Sequence, residues 1–260
     1  MKISTILIPA LLSSSFYTSA TLAHSEHNDI KISNTAAELI DGKNKQILKI
    51  TEKNSNGRSH ITYDNFNVSH AGLIINNEIG SNVIINEVIS NNHSILNGEI
   101  RITKNPAKLM IVNPNGITCS SCNFKNTINT NLIVGQIRDS KRPAEWGGDH
   151  NAKITIVNTN KKMGNIILNS KNIEIINSQL KFDSLAFTNM NSTIKNGTTK
   201  SRVFIDKESK IKSGNIKLNL MDTLFTNNGT INSHFSGIAL QSDLENNGNI
   251  NGNYSVFDAK

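Results

Sequence analysis

Short runs in which Ile, Val or Leu alternate with polar residues, broken at close intervals by asparagine and glycine, constrain this chain more than any other feature. Lys153-Ile-Thr-Ile-Val157, Asn172-Ile-Glu-Ile-Ile176 and Asn215-Ile-Lys-Leu-Asn-Leu220 repeat with a period of two, so each puts one face in a core and reads as a strand. Helical periodicity is nearly absent. From Gly164 onward a loose unit recurs, beginning at Gly164-Asn-Ile, Asn196-Gly-Thr, Gly214-Asn-Ile, Asn228-Gly-Thr-Ile and Asn247-Gly-Asn-Ile. Each instance reads as a turn followed by a short strand, with spacings near ~20 residues or its fractions, the signature of a parallel β-solenoid.

The composition supports many strands joined by many turns. There are 41 asparagines, aromatics make up 5% and charged residues 18%. Asparagine is poor in strands and helices but tolerates the left-handed region and hydrogen-bonds its own backbone. At solenoid corners it can also stack in amide ladders with the coil above. The competing architecture is an antiparallel sandwich, in which Asn97-Gly98 and Asn196-Gly197 would be hairpin turns. A disordered low-complexity chain is disfavoured by the regular alternation.

The first residues read as a secretory signal: Lys2, an apolar run from Ile3 to Leu12, and Thr21-Leu22-Ala23 as a cleavage site, with the cut expected after Ala23. The run is far shorter than the ~20 residues a spanning helix needs. The net charge is +7, but the cations are spread along the sequence. Lys141-Arg142 and Lys161-Lys162 are the only basic pairs and neither lies among aromatics, so nucleic acid is not expected as a partner. Lys141 to Asn151, with Trp146, breaks the pattern and reads as a surface loop in which Trp146 packs on the solenoid's side.

No Gly-x-Ser-x-Gly, phosphate-binding glycine loop or His-Glu-x-x-His is present, so no catalytic, cofactor or metal residues are assigned. Asp183, Asp206 and Glu208 are the acids that a polysaccharide-active β-helix could use, with Asp206 and Glu208 on one strand face. Lys207 and Lys210 surround them, which favours a solvated surface. Asn113-Pro-Asn-Gly-Ile117 reads as a rigid turn: Pro114 presets φ, Asn115 suits the third position and Gly116 accepts positive φ. Cys119 and Cys122 are the two cysteines. In an oxidising compartment a disulfide is the favoured state, with free thiols and a metal or redox role as the other readings.

Three pieces occur in a telling order: Gly57-Arg-Ser-His-Ile-Thr-Tyr-Asp-Asn-Phe-Asn-Val68, then Glu87-Val-Ile-Ser90 with Leu96-Asn-Gly98, then Val112-Asn-Pro-Asn-Gly-Ile-Thr-Cys-Ser-Ser-Cys-Asn-Phe124. Together they resemble the secretion domain of two-partner secretion exoproteins, the group of filamentous haemagglutinin and the ShlA/HpmA-type haemolysins of Serratia and Proteus, over roughly residues 30 to 140. Cys119 and Cys122 look like the haemolysin branch. The resemblance implies a right-handed parallel β-helix with an N-terminal capping region and short antiparallel extra-helical strands. It implies a TpsA-like product that crosses the periplasm to the cell surface or medium, and a TpsB-type outer-membrane β-barrel with POTRA domains as partner. A host-cell surface or a full-length haemolysin would be further partners.

On this reading Asn113, Pro114, Asn115, Gly116 and Ile117, with Tyr63, Phe66 and Asn67, are the recognition set. The layout expected is a signal at 1–23, a cap and secretion-motif region at 24–140, a loop at 141–151 and further coils at 152–260. Arg101-Ile-Thr-Lys-Asn-Pro106 departs from the family's usual valine-glycine pair, and the sequence stops at Lys260 where relatives continue as a long fibre. The readings open at this point are a small adhesin or haemolysin-related exoprotein, a truncated gene product, or a fragment.

Overall fold

The computed structural model describes residues 29–137, 151–189, 200–240 and 242–257. All regular structure among them is β, and the strands stack into three sheets that wind as a parallel β-helix. The long first sheet runs from Asp29–Ile32 through Arg58–Asn67, Val83–Val88, Ala107–Val112 and Thr127–Ile133 to the strands Asn160–Asn169, Gln179–Thr188, Lys210–Met221 and Thr230–Leu240. The second runs from Ser94–Leu96 through Ile117–Ser120, Lys153–Val157, Asn172–Ile176, Ser201–Ile205 and Thr223–Asn227 to Asp243–Asn246. The third joins Asn123–Lys125, Glu99–Lys104, Leu73–Asn77 and Gln46–Ile50 and ends on Ala37–Asp41.

The alternation explains the core. Inward residues of the second sheet stack in register, Ile117 under Ile154, Ile173, Val203 and Phe225, and Cys119 under Ile156, Ile175 and Ile205. One apolar cluster built this way extends from Ala36 to Ile231. Each fully buried Ile, Leu or Val adds roughly 1.5–3 kcal/mol, so no coil is stable without its neighbours. Antiparallel pairing seals the N-terminal end: Asp29–Ile32 lies on Arg58–Asn67, and the hairpin Ala37–Asp41/Gln46–Ile50 covers the third sheet.

Corners are where asparagine works. Asn126, Asn158 and Asn177 have φ of 57°, 49° and 45°. Amide ladders link successive coils, Asn177 donating to Asn158 (2.8 Å), Asn227 to Asn246 (2.8 Å), Asn247 to Asn228 (3.0 Å) and Asn251 to Asn232 (2.9 Å), each pair 19 residues apart. Behind them a hydroxyl column closes the same corner, with Thr159 N–H donating to Ser178 Oγ (3.2 Å) and Ser178 N–H to Ser209 Oγ (3.1 Å).

Several expectations need correction. Gly164-Asn-Ile and Gly214-Asn-Ile are not turns: both lie inside long strands, at register shifts where the strand bends from the third face onto the first. Gly164 has φ +72°, and a Cβ on Gly214 would stand 2.7 Å from the Asp183 carbonyl, so glycine permits the bend without ending the ladder. Asn97-Gly98 is a corner between the second and third sheets rather than a hairpin turn. Asp206 follows the strand Ser201–Ile205, where its carboxylate accepts the Asn177 N–H (3.0 Å) and the Ser209 hydroxyl. It therefore forms no strand-face pair with Glu208. The departure at Arg101 to Pro106 still gives a regular strand and corner, because Asn77 and Asn105 each donate 2.9 Å amide bonds to the other's carbonyl. The signal at 1–23, Trp146 and Asn196-Gly197 lie outside the described residues.

Candidate functional site

The residues singled out from sequence meet in one corner column, where the first sheet turns into the second. In Arg58–Asn67 the alternation skips a residue at Asp64-Asn65, so Tyr63 and Phe66 both point inward, with ring centroids 4.8 Å apart. Tyr63 is wholly buried and its hydroxyl donates to Asn86 Oδ1 (2.8 Å). Burial pushes its phenol well above the ordinary value, so it stays neutral. Asn67 accepts the Ile95 N–H (2.8 Å) and donates to Asp29 (3.0 Å), tying the capping strand to the next coil.

One coil further on, Ser90 and Asn92 donate to the Asp64 carbonyl and Asn92 also donates to the Asn65 amide oxygen. The following coil supplies the turn. Asn113 is fully buried, donates to the Asn92 carbonyl and the Ser94 hydroxyl (2.9 Å each), and accepts the Asn115 N–H (2.8 Å). Asn115 donates to the Ser90 carbonyl (2.8 Å), and the His93 ring bridges the Asn115 carbonyl (3.0 Å) and the Thr118 hydroxyl (2.8 Å). Pro114, Gly116 and Ile117 are buried. Gly116 has φ +104°, and a Cβ there would come within 2.9 Å of both the His93 ring and the Lys153 carbonyl. The turn is thus clamped between the coil before it and the coil after it.

The disulfide closes the next corner. Cys119 and Cys122 are bonded, with Cα atoms 5.2 Å apart, and both are fully buried in the main core. Among the described residues no group of three His, Cys, Asp or Glu is placed to hold a metal ion.

Sequence reasoning missed the partners that give the turn its rigidity, Asp29, Asp64, Asn65, Ser90, Asn92 and His93. Ser90, Asn92 and His93 stand in an asparagine-rich break one coil away, whereas Asp29, Asp64 and Asn65 lie inside strands and carry no local signal of this role. Glu87 stands in the piece Glu87-Val-Ile-Ser90 but carries no assigned role in the sequence; it is buried and accepts from the His60 ring (2.6 Å) and from the Ile137 N–H (2.7 Å). This pins the chain as it folds back with Ile137 against Ile85, Val112 and Ile133 on the outer face of the first sheet.

A parallel β-helix sealed at one end, with this clamped turn in its third coil, defines a class, and comparison with known proteins agrees. The family model of the TPS secretion domain matches residues 28–255, and the chain belongs to that family. Membership places it among exoproteins secreted by the two-partner route to the cell surface or medium.

Among individual relatives, the hemolysin of Serratia marcescens is 38% identical over 110 residues, covering 35% of this chain and 7% of that protein. The hemolysin of Proteus mirabilis is 32% identical over 135 residues, covering 44% and 8%. The tRNA nuclease CdiA of Yersinia mollaretii is 36% identical over 129 residues, covering 42% and 4%. The chain therefore spans less than a tenth of these relatives. The crystal structure of the filamentous hemagglutinin secretion domain superposes with a TM-score of 0.53 over 87% of this chain and 96% of that one. At 16% identity that likeness is one of fold.

Proposed function

We propose that the chain leaves the cell twice, first by a signal at Met1 to Ala23 that is cut after Ala23, then through a TpsB-type β-barrel whose POTRA domains capture Gly57 to Phe124. Capture precedes folding. The observation that carries this reading is burial: Tyr63, Phe66, Asn113, Pro114, Gly116 and Ile117 lie inside the folded coils, so a transporter can read those side chains only on an extended chain. An extended segment adds to a sheet edge through backbone hydrogen bonds, with alternate side chains giving specificity. Closure of the corner column then withdraws the motif from the transporter, and folding on the far side opposes return.

On this reading the chain acts by being exported and by folding, not by catalysis. The alternative of a polysaccharide-active β-helix has lost its acid pair, since Asp206 serves a corner and Asp183 pairs with Lys162 (3.0 Å). Adhesion to a host surface, or assistance to a full-length haemolysin, is the proposed role once outside. The test is secretion with and without a partner transporter, assayed in the medium. We expect export only with it, and equal amounts in both cultures would overturn the proposal. An Asn115→Ala chain that folds normally yet stays in the periplasm would support recognition of the turn itself.

A further inference from the structure

Cations that are scattered in the sequence come together on the third face. Lys162, Lys181 and Lys212 are register partners on three successive coils, all exposed, stacked at the strand separation of ~4.8 Å. Lys210 stands beside Lys212 in the neighbouring outward position, and on the earlier part of the same face Lys125 is the register partner of Arg101. Asp183 pairs with Lys162 and Glu99 with Arg101 (2.9 Å). Lys125, Lys181, Lys210 and Lys212 have no acidic partner among the described residues. The second face is different: Lys153 pairs with Glu174 (2.7 Å), Lys200 with Asp243 (2.8 Å), and Arg202 lies over the Phe204 ring at 4.8 Å.

Like charges directly opposite on adjacent strands destabilise a sheet. Nothing in the fold requires lysine here: the lysine column continues on the next coil with exposed Asn232, and the neighbouring outward column carries Asn160, Gln179 and Thr230 beside Lys210, with the same ladder throughout. We propose that this stripe is a docking surface for a linear anionic polysaccharide. Acidic groups recurring along an extended sugar chain at about the strand separation would discharge one lysine per coil, and lysine suits them as a point charge without the planar fork of arginine. Single-stranded nucleic acid would want stacking aromatics, and among the described residues none is exposed on this face: Phe124 and Phe182 point inward.

The experiment measures binding of a size-defined heparin octasaccharide to the purified chain, at low and at physiological ionic strength. Two double variants remove the same charge: Lys181→Gln with Lys212→Gln on the stripe, and Lys108→Gln with Lys217→Gln, both exposed on the first sheet. We expect roughly tenfold weaker binding for the first pair, with a shallower salt dependence, and under about twofold change for the second. We also expect the first pair to raise the unfolding temperature without ligand, because it relieves repulsion. Equal losses for the two pairs would reduce the effect to net charge and overturn the proposal, as would unchanged binding. A lowered unfolding temperature would make the lysines structural and overturn it too. Equally tight, equally lysine-dependent binding of single-stranded DNA or of anionic lipid vesicles would overturn the assignment to a polysaccharide.

Discussion

The coils before Ile133 and those after Lys153 obey the same geometry by different means. In the earlier coils the three faces are separate strands, and corners are held by contacts that do not repeat: Asn67 to Ile95, Asn92 to Asp64, Asn113 to Asn92 and Ser94. In the later coils the third and first faces fuse into continuous strands of 10 to 12 residues, and one corner carries an amide rung in each plain coil, Asn158 to Asn177 and Asn228 to Asn247, with Asp206 taking the rung above Asn177 across the longer coil. The earlier region is specified residue by residue, the later by repetition. Relatives match over 110 to 135 residues, less than half of the chain, whereas the fold extends over nearly all of it.

That contrast sets the size of the expected mutational effects. Replacing Asn113 by Ala strands the Asn92 carbonyl, the Ser94 hydroxyl and the Asn115 N–H in a buried corner, and should cost about 3–4 kcal/mol in urea unfolding. A cost near that of a ladder asparagine would erase the distinction. Glycine sharpens the same comparison. Gly116→Ala pushes a methyl into the His93 ring and the Lys153 carbonyl at positive φ, for about 2–3 kcal/mol. Gly164→Ala also has positive φ but meets nothing within 4 Å, and should cost only about 1 kcal/mol.

Next comes the disulfide, which only the earlier coils possess. Its sequence separation is 3, and on the chain-entropy view so small a ring contributes about 2 kcal/mol. Cys119→Ala with Cys122→Ala should lower stability by that amount without changing the far-UV spectrum. A collapse of the fold would mean that the bridge organises more than its own corner. Asn177→Ala, which breaks one rung to Asn158 and puts alanine at a φ of 45°, should cost about 2 kcal/mol, and Asn247→Ala, which breaks only the rung to Asn228, about 1 kcal/mol.

The same contrast governs what could be read from sequence. Lys153–Val157 and Asn172–Ile176 are legible to the residue, since nothing but alternation is needed to place them. The repeat is harder to see, because the sequence between successive strands is longer from Ile133 to Lys153 and from Thr188 to Ser201 than elsewhere. Lys181 thus follows Lys162 by one plain coil while Lys212 follows Lys181 by a longer one, so the lysine stripe is invisible until the coils are wound. Gly-Asn-Ile misled for another reason: the same tripeptide bends a strand at Gly164, while Gly248-Asn-Ile250 starts a new one. The turn at Asn113 was legible as a turn, but its clamping by Ser90, Asn92 and His93 depends on register between coils, which local sequence does not encode.

The smallest effect belongs to the cap of the earlier region and appears with pH. Asp64 has its carboxyl held below the ordinary value chiefly by the hydrogen bond from Lys31, then by that from Ser33, and Lys31 is raised in turn by Asp64. A depressed folded pKa means that the stabilisation is present above the unfolded value of ~3.9 and is lost as pH falls through the folded one. Both groups are exposed, so solvent screens the pair and the loss should stay local. Amide exchange in Asp29–Ile32 should therefore quicken, after correction for intrinsic rates, as pH drops below about 4. Gln179–Thr188 and Lys210–Met221, each held by a parallel neighbour on both sides, should keep their protection in that window. Asp64→Asn should show the faster exchange already at neutral pH and no further step on acidification; a step that survives the substitution would locate the acid sensitivity elsewhere in the cap.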